Sequence, residues 1–258
     1  MLYLTLLIAL VMVVLTTKLT QKFNLSSNWF IVGQISASLF IILFGDLEVS
    51  YINQIELGFL AIPFSLLFLV GFTNVMNIEE EQQPLILVLP CISLLFLSAA
   101  AFVMGYTFVS ITGLFAVLTI MLCRSVLGEK VLERSFTTSI GFVMAVLSLM
   151  LFKSSFITIY IPIFTLALPL AIYLILQTKI TSAQSMTISA SIAVLFGLLM
   201  FIIPFNVVWY LVVGATVVLA IHNFRGSIDL FSDFQVSFKL VVGDDFGIYY
   251  GIAQKDWY

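Results

Sequence analysis

The chain reads as an all-α polytopic membrane protein of about nine transmembrane helices with a short cytoplasmic C-terminal β-hairpin. Three observations lead there. Of 258 residues, 62% are hydrophobic and 9% charged, and the mean hydropathy is +1.21. A soluble domain carries about 25% charged residues, so a water-soluble globule is excluded. Apolar runs close to the roughly 20 residues that cross a bilayer recur along almost the whole length. These runs are continuous rather than alternating apolar and polar, which excludes a β-barrel. With a formal net charge of −3, no nucleic-acid partner is expected; the lipid bilayer is the first partner.

The runs place spans at 2–17, 29–45, 57–76, 84–104, 106–123, 137–152, 155–176, 186–204 and 205–222. No Lys or Arg precedes the first run, Leu2 to Leu15, and no small-residue cleavage motif follows it. It therefore reads as a retained span. Loop charge sets the orientation. Lys18 and Lys22 follow the first span, Arg124, Lys130 and Arg134 the fifth, Lys179 the seventh and Arg225 the ninth, all on one side. The opposite side holds Asp46, Glu48, Glu56 and a single cation, Lys153. The N-terminus is thus expected outside and the C-terminus in the cytoplasm. Glu79-Glu80-Glu81 then forms an acidic cytoplasmic loop, which the rule tolerates because acidic residues weigh little in it. Cys91 and Cys123 lie far apart in apolar segments and read as small buried residues, not a disulfide.

Two domains follow: a helical bundle over 1–225 and a tail over 226–258. In the tail, Phe234 to Leu240 alternates apolar and polar, Gly243-Asp244-Asp245 is a turn signal, and Phe246 to Ile252 is β-prone. No further carboxylate lies at ligand spacing from Asp244 and Asp245, so this reads as a turn and not a metal site. A lone hairpin is marginal in water, so the tail is expected to pack on the bundle or on another protein, where an exposed strand edge suits a docking element.

Four stretches occur in a recognisable order: Gly33-Gln34-Ile35-Ser36-Ala37 with Phe44-Gly45, Leu57 to Pro63, Val70 to Asn77, and Met104-Gly105 followed by Gly141 to Lys153. Over roughly residues 17 to 180 the chain resembles the polyprenyl-phosphate N-acetylhexosamine-1-phosphate transferases, bacterial enzymes that initiate teichoic-acid and O-antigen synthesis and are cousins of the lipid I synthase. The family's first two spans have no counterpart here. The resemblance implies a bundle in the bacterial cytoplasmic membrane. It also implies magnesium-dependent transfer of a sugar 1-phosphate from a UDP-sugar to undecaprenyl phosphate at the cytoplasmic face. The metal is held by an Asp-Asp pair, an Asn-x-x-Asp-Gly-x-Asp-Gly motif and a Gly-Asp-x-Gly motif, because a divalent cation on a diphosphate needs carboxylate oxygens.

At the corresponding positions the carboxylates are replaced. The Asp-Asp pair falls on Thr20 and Gln21. In the second motif Asn77 is kept, the aspartates become Glu80 and Gln83, and the glycines become Glu81 and Pro84. The third aspartate becomes Arg134, flanked by Glu133 and Phe136. The family's His-rich motif has no counterpart between Leu176 and Met186, and the one histidine, His222, caps the last span. Glutamate keeps a charge, but Thr and Gln remove two, and an arginine repels a divalent ion by several kcal/mol at about 4 Å in a partly screened site. The lost glycines also deny the backbone its close approach.

The expected function is therefore a catalytically inactive relative acting as scaffold or accessory subunit of a bacterial cell-envelope glycan or secretion complex, with no catalytic residue, no metal and no cofactor. Magnesium would be expected only in an active protein. Two alternatives stand beside it. One is an active or altered transferase using Glu79, Glu80, Glu81 and Glu133. The other is a polyprenyl-phosphate binding protein holding the head group through Lys130 and Arg134, since basic pockets on the cytoplasmic side suit anionic head groups. In the scaffold reading Arg134 pairs with Glu80 or Glu133 across the former metal position.

Overall fold

The computed structural model describes residues 2–23, 27–52, 55–76, 84–127, 133–152, 160–202 and the single residue Gly214. The chain divides into two units, Met1–Ile203 and Pro204–Tyr258, and the architecture below is that of the first. The ninth run, 205–222, and the tail hairpin over 226–258 lie outside the described residues apart from Gly214, as does the expected boundary at 225 and 226.

The described chain is almost entirely helical: α1 (Leu2–Lys22), α2 (Ser27–Gly45), α3 (Ala61–Val75), α4 (Val88–Val103), α5 (Thr107–Leu127), α6 (Arg134–Phe152), α7 (Tyr160–Pro162), α8 (Leu168–Leu176) and α9 (Ser182–Ile202). Six helical stretches are long and apolar enough to cross a membrane: Tyr3–Lys22, Gly58–Val75, Leu85–Val103, Thr107–Val126, Arg134–Phe152 and Ser182–Ile202. Trp29–Gly45 and Tyr160–Leu176 are shorter. At 21 residues, α1 spans about 31 Å at 1.5 Å per residue, matching a hydrocarbon core of about 30 Å. The protein is a helical membrane protein.

Helix ends follow local chemistry. Gly105, at φ +80, ends α4: its N–H bonds Phe102 O at 3.1 Å and the Tyr106 N–H bonds Ala101 O at 2.8 Å. That bond pair needs a left-handed residue, for which glycine carries no Cβ penalty. Between α2 and α3 a two-residue antiparallel ladder joins β1 (Tyr51–Ile52) to β2 (Ile55–Glu56). Nearby, the buried Ser65 Oγ accepts the Val49 N–H at 2.8 Å, which ties this connection to α3.

A widened π turn, Ile163–Ala167, joins α7 to α8. Pro169 explains it. Proline has no N–H for the carbonyl four residues back, and its ring collides with that carbonyl in a regular helix. In the wider turn the Leu168 N–H reaches Ile163 O, five residues back. The turn is clamped from both sides: Thr165 Oγ1 and Ser93 Oγ of α4 hydrogen-bond at 2.8 Å, and Phe164 stacks on Phe196 of α9 with centroids 5.2 Å apart.

Two helix groups share α6. Helices α1, α2 and α3 pack in sequence, with α6 closing the ring against α1 and α3. Helices α4, α5, α8 and α9 form the second group, and α6 touches α4 and α5 as well. Accordingly α6 is buried over most of its length, whereas the outer faces of α1, α3 and α5 remain exposed. The buried stripes carry small and hydroxyl residues. On α9 these are Ser185, Ser189, Ala193 and Gly197, every fourth residue. Small side chains let helices approach closely where lipid supplies no hydrophobic drive for association. Cys91 and Cys123 are free thiols.

Candidate functional site

Of the positions singled out from the sequence, Thr20, Gln21 and Arg134 are described; Asn77, Glu80, Gln83 and Lys130 lie outside the described residues, with Glu79 and Glu81. The described ones gather at one end of the α1–α2–α3–α6 ring. Helix α1 ends there with Lys18, Thr20, Gln21 and Lys22, and α6 begins there. Glu133, just ahead of α6, ties the two ends together, its Oε2 lying 3.6 Å from Lys18 Nζ. The same oxygen accepts the Ser135 hydroxyl at 2.9 Å. Both partners are well exposed, at 57% and 68%, so the pair orients the ends and contributes at most about 1 kcal/mol.

Arg134 is not in a loop. It is the first residue of α6, half-buried, with its guanidinium carbon 4.6 Å from the centroid of the Phe30 ring. Helix α6 starts three residues earlier than the hydropathy pattern suggests. The polar residues there serve the helix: Thr138 Oγ1 donates to Arg134 O at 2.8 Å, and Ser139 Oγ to Ser135 O at 2.6 Å. Thr20 behaves likewise, donating to Thr16 O at 2.7 Å, which commits its one hydroxyl proton to its own helix. Glu133, one of the two glutamates considered for Arg134, is engaged by Lys18.

The end of α3, from which Asn77 follows, is held against α6. A Cβ added at Gly141 would stand 2.9 Å from Met76 Cβ and 3.1 Å from the carbonyl oxygens of Phe72 and Thr73. Only hydrogen at this position lets the two backbones come so near. Gly141 lies about two turns, or roughly 10 Å, along α6 from Arg134. Asn74 serves its own helix, donating Nδ2 to Val70 O at 3.0 Å.

Chemically, the described side chains at this end bring Lys18, Lys22 and Arg134 together with one carboxylate, Glu133. Among the described residues these four charges sum to a net positive value, and Glu79, Glu80 and Glu81 lie outside the described residues. Two features escaped the sequence reading. Phe30 as the platform under Arg134 is one. The other is Gln34, at 1% exposure, and Ser38, at 0%, one and two turns beyond Phe30 on the same stripe of α2. Neither the Gln34 amide nor the Ser38 hydroxyl has a hydrogen-bond partner. The available signal was Gln34 and Ser38, four residues apart with Ser36 between them, in a run that is apolar from Trp29 to Gly45 apart from these three.

No protein-family model and no curated protein matches this chain.

Proposed function

We propose that the protein is a catalytically inactive relative of the polyprenyl-phosphate sugar-1-phosphate transferases that serves as a scaffold or accessory subunit of a bacterial cell-envelope complex. In this reading it crosses the cytoplasmic membrane nine times, with the N-terminus outside and the C-terminus inside. The 226–258 hairpin docks other membrane or cytoplasmic proteins. The observation that carries the reading is Arg134. Where the resembling family needs a carboxylate for magnesium, a guanidinium lies over Phe30, beside a glutamate already paired with Lys18. Restoring a divalent site there would require displacing a positive charge as well as supplying ligands.

Two measurements test this. Purified protein given a UDP-N-acetylhexosamine, undecaprenyl phosphate and magnesium should release no UMP. Isolation in mild detergent should bring down a defined envelope protein, and deletion of 226–258 should release it. Magnesium-dependent UMP release that Glu80→Gln abolishes would replace this reading with that of an active transferase.

The described cations Lys18, Lys22 and Arg134 favour a second reading, in which Lys130 and Arg134 hold the phosphate of a polyprenyl phosphate through charge-assisted hydrogen bonds of about 1.5–3 kcal/mol each. Arg134→Ala would then weaken polyprenyl-phosphate binding about tenfold or more, at about 1.4 kcal/mol per decade. In the scaffold reading the same substitution leaves lipid binding unchanged.

A further inference from the structure

We draw no further inference here: the strongest candidate, the open groove between α9 and the start of α4, is lined outside α9 by Leu85 and Val88, and nothing in the structure shows what covers it.

Discussion

Arg134 and Phe30, a hundred residues apart in sequence, meet at the end of the helical ring with the guanidinium carbon 4.6 Å from the ring centroid. Phe30 is almost wholly buried. The contact therefore helps to fix the direction of the charge carried by the first residue of α6. A cation over an aromatic face contributes about 0.5–2 kcal/mol, more as water is excluded.

A double-mutant cycle isolates this contact. Phe30→Leu and Arg134→Gln, separately and together, should show a coupling of about 0.5–2 kcal/mol in denaturant unfolding of the detergent-solubilised protein. Additive effects would mean that Arg134 is held by other partners.

The close approach of α3 and α6 gives a paired prediction. Gly141→Ala should destabilise by about 1–3 kcal/mol, as overpacking does, because the new methyl meets Met76 and two backbone oxygens. Gly71→Ala on the exposed side of α3 meets nothing within 4 Å and should gain up to about 1 kcal/mol of helix propensity. Melting temperatures in one detergent should move in opposite directions.

Gln34 supplies a prediction of the less usual sign. A buried amide with no partner costs about 1–3 kcal/mol, and both its polar atoms are unpartnered. Gln34→Met, similar in volume and apolar, should raise the melting temperature by several degrees. A fall would show that Gln34 makes hydrogen bonds through bound solvent.

Orientation is tested by labelling in intact cells. From the loop cations the 46–56 connection is expected outside and the tail inside. An impermeant thiol reagent should label Tyr51→Cys, at an exposed position, and leave Leu240→Cys untouched until the membrane is opened. The reverse pattern would invert the topology.

Existence and order of helices were legible because continuous apolar length is a property of the sequence alone. Eight of the nine apolar runs coincide with described helices, and the ninth lies outside the described residues. Boundaries were less legible where polar residues belong to the helix. Helix α9 begins at Ser182, four residues ahead of the expected 186, behind Thr181, whose Oγ1 accepts the Gln184 N–H at 3.4 Å. The π turn was missed although Pro162 and Pro169 announce a break, since hydropathy does not register a lost N–H. Lateral contacts were the least legible. In a helix apolar on every side nothing in the pattern says which face turns inward, so Phe30 beneath Arg134 and Lys18 beside Glu133 could not be read beforehand. At the candidate site the change of charge at 134 was legible, but what the arginine touches was not.

The hydroxyls buried between the helices have a consequence for biogenesis. Thr17, Ser65, Thr73 and Thr138 each donate to the carbonyl four residues back in their own helix. Each of these segments therefore enters the membrane with those donors already satisfied, before any neighbour arrives. Insertion and assembly become separable events, as lipid requires of any segment that must wait for its partners. Thr165 also donates to the Ile161 carbonyl four residues back, but its bond with Ser93 can form only once the π turn and α4 lie side by side. It marks a late event in assembly, and truncation of the nascent chain before residue 160 leaves Ser93 in the bilayer without that partner.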